Sequence, residues 1–237
     1  MNIVGHRGAS VAEPENTPAA FATADRMGAD GVELDVRSAP DGHGAQRLVV
    51  FHNPLPDEQD ALDAMPSFDD VLEACGERML INVEIKNSVD DGGFDPTMSM
   101  VAPIIEAMRR HDGDRLDRWL ISSFSIETVD HCRLVAPEFA TAYLVEVLTD
   151  EVIQTAADRG HRAVHPWHGL LDAERVATAH DAGLAVNVWT CNEPARLIEL
   201  SDMGVDGVCT DVPDVARTAL GRVADDFVQP TWNLRTD

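Results

Sequence analysis

Short apolar segments rich in β-branched residues alternate with longer amphipathic segments along nearly all of the 237-residue chain. A short apolar run is typical of a strand buried on both faces, and a longer run with helical periodicity is typical of the helix that crosses back over a parallel sheet. The predicted strands are residues 2–5, 31–36, 47–52, 79–85, 119–122, 141–145, 163–165, 185–190 and 207–210. The predicted helices are residues 18–27, 68–75, 98–111, 126–135, 149–159, 173–182, 194–203 and 213–220.

This alternation predicts an α/β fold, and about eight strand–helix units favour a single-domain (β/α)8 TIM barrel over residues 1–221 with a C-terminal tail over residues 222–237. An open doubly wound sheet is the alternative. No GxGxxG or GxxxxGK[ST] segment follows a predicted strand, which removes the main argument for a nucleotide-binding version of that sheet. Segment 47–52 follows a turn-rich loop with an Asp-Gly pair, so we expect it to form a hairpin arm after strand 31–36.

The formal net charge of −24 argues against nucleic acids and anionic membranes as partners, because both are polyanions. The four cysteines have no CxxC spacing, which argues against a disulfide framework and against a zinc site of the CxxC type. The sequence shows no signal-peptide pattern and no apolar run of membrane-spanning length. We therefore expect a cytoplasmic protein without stable membrane association, and any phosphate site must concentrate positive charge locally.

Three carboxylates fall at the ends of predicted strands. Glu33 and Asp35 are two residues apart in one strand, so their side chains point to the same face, and Glu84 ends another strand. Buried carboxylates are costly unless something neutralises them, and oxygen ligands suit a hard divalent cation. An isolated E-x-D pair carries little weight, but three converging strand ends predict a site for one Mg²⁺ or Ca²⁺ ion, with Mn²⁺ as a further candidate.

Two histidines, His6 and His52, each close an apolar run near these carboxylates. Imidazole titrates near neutral pH, so one histidine can take a proton from a nucleophile while the other protonates a leaving oxygen. Arg7 and Lys86 could bind phosphate oxygens, although a surface ion pair between Arg7 and Glu15 is the alternative. Further candidates for the same rim are Asn16 or Thr17 as the cap of the first helix, Glu15 beside the site, His165 at a strand end and Trp189 as a pocket wall.

The ordered segments GHRGAS, PENTPAAF, GVELDV, LVVFHN, INVEIKN, SSF, VNVWTCN and GVCTDVPD resemble the glycerophosphodiester phosphodiesterase family over nearly the whole chain. The resemblance implies a metal-dependent (β/α)8 barrel that cleaves glycerophosphodiesters to glycerol 3-phosphate and an alcohol. It assigns acid–base roles to His6 and His52 and metal binding to Glu33, Asp35 and Glu84. It also assigns substrate and phosphate binding to four residues, namely Arg7, Lys86, Phe124 and Trp189.

Two departures from the family pattern stand out. Asn53 follows His52 where the family commonly has aspartate, so a carboxylate that could tune this histidine is missing. The segment between His52 and Met79 is also shorter than the usual insertion after the second and third strands. A shortened lid predicts an open alcohol side of the pocket, unless a neighbouring subunit of a homo-oligomer covers it.

Two other functions fit a similar barrel. A lysophospholipid or sphingomyelin phospholipase D would need a membrane-docking patch, and the sequence shows none while carrying a strongly negative charge. A catalytically silent binding protein would have no physical reason to keep a full set of buried carboxylates. The sequence does not choose the head group, the metal, the base among the two histidines, or the nucleophile.

Overall fold

The computed structural model describes residues 1–113, 115–222 and 229–235 as a closed barrel of eight parallel strands. Strand β1 pairs with β2 on one side and with β9 on the other, which closes the sheet. Strand β3 stands outside the barrel and pairs antiparallel with the end of β2, as the hairpin prediction required. The strands are β1 Asn2–His6, β2 Gly31–Pro40, β3 Gln46–Val50, β4 Leu80–Ile85, β5 Trp119–Ser123, β6 Ala140–Val145, β7 Ala163–Pro166, β8 Ala185–Val188 and β9 Gly207–Thr210.

The helices follow the strands and cover the outside of the barrel. They are α1 Pro18–Arg26, α2 Gln59–Asp63, α3 Phe68–Ala74, α4 Val101–Asp112, α5 Ile126–Val135, α6 Asp150–Asp158, α7 Ala173–Asp181, α8 Pro194–Asp202 and α9 Pro213–Ala219. Two 3-10 turns, Leu116–Arg118 and His168–Leu170, complete the described elements. Side-chain oxygens of Thr17, Ser67 and Ser125 accept hydrogen bonds from backbone N–H groups at their helix starts, which fixes where these helices begin.

The eight-stranded barrel prediction is confirmed, and the differences lie at element ends. Strand β2 continues past residue 36 because it also forms the hairpin with β3. Strand β3 ends at Val50, so His52 lies in the loop and does not close the strand. Helix α4 begins at Val101 instead of residue 98, because Met98 has a φ of 55° that a right-handed helix excludes. The short helix α2 was not predicted.

Two apolar layers position the polar site. Val32, Leu34 and Val36 of β2 point outward and are buried under the helices, as expected from strand alternation. The barrel interior at its N-terminal end holds mainly small or medium side chains, Val4, Leu80, Leu120, Ala142, Ala163 and Ala185. The polar residues of the same strands lie toward the opposite, carboxyl end of the barrel.

The described part of the tail closes the N-terminal end of the barrel. Trp232 is 7% exposed, packs among the small interior side chains, and donates its indole N–H to the carbonyl of Arg118 over 3.0 Å. Asn2 Nδ2 donates to the carbonyl of Thr231 over 2.9 Å, and Asn233 Nδ2 donates to the carbonyl of Asp206 over 3.0 Å. Residues 229–235 therefore supply the barrel floor, and the division into a barrel of residues 1–221 and a tail stays a prediction.

Within the described residues, no helix has both the length and the apolar character needed to cross a membrane.

Replacing Trp232 by alanine should destabilise the protein, because it empties the floor of the barrel. We expect the free energy of unfolding to fall by about 3–5 kcal/mol, as for other buried tryptophans. Trp232→Phe keeps most of the packing and loses the bond to Arg118, at a cost of about 1–2 kcal/mol. Urea unfolding of both variants measures these losses, and an alanine variant as stable as the wild type would show that the tail does not seal the barrel.

Candidate active site

Three buried carboxylates meet at the carboxyl end of the barrel. Glu33 and Asp35 come from β2 and Glu84 from β4, and one carboxylate oxygen of each lies within 4.8 Å of the others. The parallel register pairs Asp35 with Glu84, which brings the two side chains to the same level of the barrel. The predicted convergence of these three residues is present in the structure.

Two cations hold this cluster. Lys86 Nζ lies 3.1 Å from Asp35 Oδ1 and also contacts Glu84 Oε1. Arg7 Nε lies 3.3 Å from Asp35 Oδ2, and its backbone N–H donates to Glu33 Oε2 over 3.0 Å. Arg7 Nη1 also pairs with Glu15 Oε2 at 2.9 Å, so the ion pair considered from sequence forms here without removing Arg7 from the site.

The two cations do not neutralise all three carboxylates, and the pKa values of the carboxylates reflect this. Burial and the neighbouring carboxylates Asp35 and Glu84 hold the pKa of Glu33 well above its usual range. Burial raises the pKa of Glu84 to about 7, against the opposing charge of Lys86. Burial opposes ionisation of Asp35 too, but Lys86 and Arg7 lower the pKa of this residue.

The donor set fits a hard divalent cation. Within the part of the chain that the structure describes, Glu33 Oε1 is buried without a hydrogen-bond partner, and Asp35 Oδ1 accepts no well-directed hydrogen bond despite its proximity to Lys86. Such buried, unpaired oxygens are costly unless a cation or water satisfies them. Asn82 Oδ1, two residues before Glu84 on the same face of β4, is also buried and unpartnered. A divalent cation among these oxygens would supply the missing charge and ligands.

His6 is held by a carboxylate that the sequence analysis did not assign. Its Nδ1 lies 2.7 Å from Asp211 Oδ1, at the end of β9 beside β1. Ser10 and Asn192 also donate to Asp211, over 2.9 and 2.7 Å. Burial opposes the shift, but the hydrogen bonds from His6 and Asn192 lower the pKa of Asp211 to about 2. Asp211 is therefore ionised near neutral pH and fixes Nδ1 of His6, which leaves Nε2 free for the cavity.

His52 has a different partner. Its Nδ1 lies 3.2 Å from Asn53 Oδ1, so an amide oxygen takes the place at which the family commonly has a carboxylate. Burial, assisted by the positive charges of Lys86 and Arg7, lowers the pKa of His52 despite the opposing charge of Asp35. His52 is therefore neutral at pH 7.

Arg37 anchors the loop that carries His52. This arginine is 4% exposed and donates to the carbonyl of His52 from Nε over 3.2 Å and from Nη2 over 2.7 Å. It also donates to the carbonyls of Asp91 and Gly92 in the loop after β4. Both loops are thus held to β2 through one buried side chain. Its signal in the sequence is the alternation of Glu33, Asp35 and Arg37, which places all three on one face of the strand.

The loop after β1 adopts unusual backbone geometry to reach the cluster. Arg7 and Asn16 have φ angles of 57° and 58°, in the left-handed region that few side chains favour. Asn16 Nδ2 donates to Asp35 Oδ2 over 2.8 Å, and Asn16 Oδ1 accepts from the Asp35 N–H over 3.3 Å. At Gly8, with a φ of 84°, a Cβ would lie 2.6 Å from the backbone of Ala20, so this close approach requires glycine.

A cavity joins these groups to an aromatic wall. The rings of Phe124 and Trp189 meet edge to face with centroids 5.5 Å apart. Trp189 donates its indole N–H to the carbonyl of His165 over 2.8 Å. His165 lines the cavity below the rim, where Asn187 bonds to its Nε2 and burial lowers its pKa to about 3. His165 is neutral there and lacks a carboxylate partner, so it supports the wall.

The structure brings to one cavity eight of the residues expected there, His6, Arg7, Glu33, His52, Glu84, Lys86, Phe124 and Trp189, together with the further rim candidate His165. The remaining predicted residues contact this set: Asp35 and Glu15 both pair with Arg7, and Asn16 bonds to Asp35. Asp211 and Arg37 were missed as site residues. Asp211 directly follows an apolar strand, the same signal that identified Glu84 and His6, but the pairing of β9 with β1 is visible only in the folded barrel.

Comparison with known proteins shows matches over most of the chain. The profile of the Glycerophosphoryl diester phosphodiesterase family matches residues 6–58 and 50–215. A glycerophosphodiester phosphodiesterase of Caldanaerobacter subterraneus subsp. tengcongensis is 28% identical over 240 residues, covering 90% of this chain and 94% of that protein.

Solved structures show the same fold. A phosphodiesterase of Oleispira antarctica, in complex with the product sn-glycerol-3-phosphate, superposes with a TM-score of 0.81 at 22% identity, covering 93% of this chain and 97% of that one. A glycerophosphodiester phosphodiesterase from Parabacteroides distasonis superposes with a TM-score of 0.79 at 21% identity, covering 93% and 96%.

Replacing Glu33 by glutamine should stabilise the metal-free protein at alkaline pH and abolish its stabilisation by Mg²⁺. The folded-state pKa of Glu33 is raised above the ordinary value of 4.5, so its ionisation penalises folding above that value and costs little below it. With chelator present, the variant should therefore melt higher than the wild type at pH 8, and the gain should shrink at pH 5.

The matched control is Glu106→Gln on the exposed face of α4, which should change neither the melting temperature nor the response to Mg²⁺. If the wild type has a melting temperature at pH 8 in chelator equal to or above that of the Glu33 variant, the carboxylates of this cluster are already neutralised and the prediction is wrong.

Proposed function

This chain belongs to the glycerophosphoryl diester phosphodiesterase family, and from that premise we propose that it hydrolyses glycerophosphodiesters to sn-glycerol 3-phosphate and an alcohol. The observation that carries the proposal is one cavity lined by two histidines, a carboxylate cluster and two cations. The complex of the Oleispira antarctica phosphodiesterase with sn-glycerol-3-phosphate supports the choice of substrate class.

Glu33, Asp35 and Glu84 are proposed to hold one divalent cation, Mg²⁺ or Ca²⁺, with Mn²⁺ as a further candidate. Such an ion polarises phosphoryl oxygens and orients the diester. Its two positive charges would also reduce the repulsion among the three carboxylates, which the raised pKa values of Glu33 and Glu84 record. Lys86 and Asn16 both contact Asp35 and so keep the cluster in place.

We propose that one histidine is the general acid and the other the general base, and that their hydrogen-bond partners determine which is which. His52 is neutral and half-buried, and it faces no carboxylate through Nδ1, so it suits the general base. The ionised Asp211 at Nδ1 of His6 stabilises an imidazolium, which suits the acid that protonates the leaving oxygen. The base could deprotonate either water or the glycerol 2-hydroxyl, and a cyclic glycerophosphate product would identify the second route.

Arg7 and Lys86 are proposed to bind phosphate oxygens, with Phe124 and Trp189 as the wall against the alcohol or glycerol carbon chain. Arg7 lines the cavity while its Nε lies 3.3 Å from Asp35 Oδ2, so its positive charge is held where an anion would bind. Glu15 and Asn16 position Arg7 and Asp35. The location in the cytoplasm, the absence of nucleic-acid and stable membrane partners, and a homo-oligomer that covers the short segment after His52 stay predictions from the sequence.

Replacing His6 or His52 by alanine should each lower kcat by about 10²–10⁴-fold, the usual contribution of general acid–base catalysis. The assay is release of sn-glycerol 3-phosphate from glycerophosphocholine with Mg²⁺, Mn²⁺ or Ca²⁺. Circular dichroism and melting curves should match the wild type, because both side chains lie at the rim and not in the apolar core.

His165→Asn is the control histidine, and it should lose far less activity because its buried ring bonds to Asn187 and burial alone sets its lowered pKa. Rates within a few-fold of the wild type for His6→Ala or His52→Ala would remove that residue from the mechanism. Release of choline from lysophosphatidylcholine alone would favour the phospholipase D function, and loss of all turnover with retained phosphate binding would favour a silent binding protein.

Asn53→Asp should raise the pKa of His52, because a carboxylate would replace the amide oxygen 3.2 Å from Nδ1. An adjacent opposite charge shifts a pKa by about one unit or more. A base acts unprotonated, so the acidic limb of kcat/KM against pH should move upward by about one unit. Movement of the alkaline limb would instead make His52 the acid and reverse the assignment of the two histidines.

A further inference from the structure

A second group of metal-ligating side chains lies on the rim, outside the carboxylate cluster. His168 stands in the 3-10 turn after β7, while Cys191 and Glu193 follow β8. One ligand atom of each lies within 4.8 Å of the other two. None of the three belongs to the proposed reaction, so this group calls for a separate explanation.

The three side chains have few other contacts among the described residues: the Thr190 backbone bonds to the His168 ring, and the carbonyl of Glu193 lies 4.0 Å from Cys191 Sγ. Within the same residues, Nδ1 of His168 is buried without a well-directed hydrogen bond. Cys191 is fully buried, and its Sγ lies 3.8 Å from Glu193 Oε2, the range of a weak thiol contact. Glu193 precedes helix α8 but makes no side-chain cap bond, and Arg196 pairs with Glu199 instead. The carboxylate therefore faces the cysteine in place of a cap or a cation.

The backbone holds the three ligands in position. The N–H of His168 donates to the carbonyl of Trp189 over 3.1 Å, and the N–H of Cys191 donates to the carbonyl of Cys209 over 3.0 Å. Arg196 donates to the carbonyls of His168 and Leu171. A site whose ligand backbones are fixed before binding loses little entropy when the metal enters.

Imidazole, thiolate and carboxylate together select a borderline-soft ion over Mg²⁺ or Ca²⁺. Bond lengths of about 2.3 Å to sulfur and 2.0 Å to oxygen place two tetrahedral ligands about 3.5 Å apart, close to the sulfur–oxygen distance observed here. We propose that His168, Cys191 and Glu193 bind one Zn²⁺ ion, with water as the fourth ligand.

Binding exchanges the thiol proton of Cys191 for the metal, and this proton passes to solvent, so the redox state does not change. The ion would join the loop after β7 to the loop after β8. A parallel bridge between Trp167 and Trp189 already links these loops, and Trp189 forms the aromatic wall of the cavity. The zinc would therefore brace the wall of the cavity without contact with the reacting groups.

Cobalt is the test probe, because a thiolate bound to tetrahedral Co²⁺ gives a sulfur-to-metal charge-transfer band that carboxylate ligands cannot produce. The full chain, chelator-treated and kept reduced with a phosphine, is titrated with Co²⁺ in excess Mg²⁺, which occupies the carboxylate cluster. We expect a band that saturates at one equivalent and disappears when Zn²⁺ is added. The melting temperature of the wild type should rise with Zn²⁺.

Cys191→Ser should lose both the band and the Zn²⁺-dependent rise in melting temperature, whereas Cys209→Ser should keep them. Cys209 is the matched control because it lies beside the carboxylate cluster and could otherwise be the source of a thiolate signal. His168→Asn, at a half-buried position, and Glu193→Gln, at an exposed one, should each weaken binding by at least about 10-fold.

Absence of the band in the reduced wild type would overturn the proposal, as would its loss in Cys209→Ser. Unchanged affinity in His168→Asn and Glu193→Gln would also overturn it, since the metal would then bind adventitiously to a thiol. The variants keep the carboxylate cluster and both catalytic histidines, so failure of the zinc site leaves the proposed phosphodiesterase mechanism intact.

Discussion

The compensation of three buried carboxylates by two cations is the interaction on which the rest of this site depends. Glu33, Asp35 and Glu84 would repel one another if Lys86 and Arg7 were absent, and even with both cations the pKa values of Glu33 and Glu84 stay raised. Isolated buried charges cost far more than any single contact returns, so the surrounding strands must hold the partners closely. The incomplete neutralisation leaves room for a divalent cation, whose binding would then add to folding stability.

The strand pairings of the barrel place these charged groups next to one another. Parallel pairing of β2 with β4 sets the carboxylates side by side, and pairing of β1 with β9 sets Asp211 beside His6. The loop after β1 then takes left-handed backbone angles at Arg7 and Asn16 so that both can reach Asp35. Strain of this kind persists only where the surrounding contacts determine it, and here those contacts are the charged cluster itself.

Strand alternation and chain order were sufficient to predict the fold and most of the cluster. The face shared by Glu33 and Asp35 follows from a period of two, and the barrel follows from repeated strand–helix units. The partners that cross the barrel could not be predicted in this way. Asp211 lies 205 residues from His6, and Arg37 reaches the carbonyl of His52, so both contacts depend on closure of the sheet and on loop paths that no local pattern encodes. Element ends shifted for a similar reason, since the β2–β3 hairpin extended one strand and left His52 in a loop.

The two histidines have different hydrogen-bond partners, so the two sides of the cavity differ chemically. Asp211 pairs with Nδ1 of His6, whereas burial and the positive charges of Lys86 and Arg7 lower the pKa of His52. These different surroundings suit the separate acid and base roles that we propose for the two rings in cleavage of a diester. The strongly negative surface of the chain does not oppose this, because Arg7 and Lys86 face the cavity at contact distance, whereas surface charges beyond about 8–10 Å are largely screened at physiological salt. Under the proposed function, an anionic diester would be repelled weakly on approach and held by short-range charge once inside, so we expect binding to depend on these two cations far more than on the net charge of the protein.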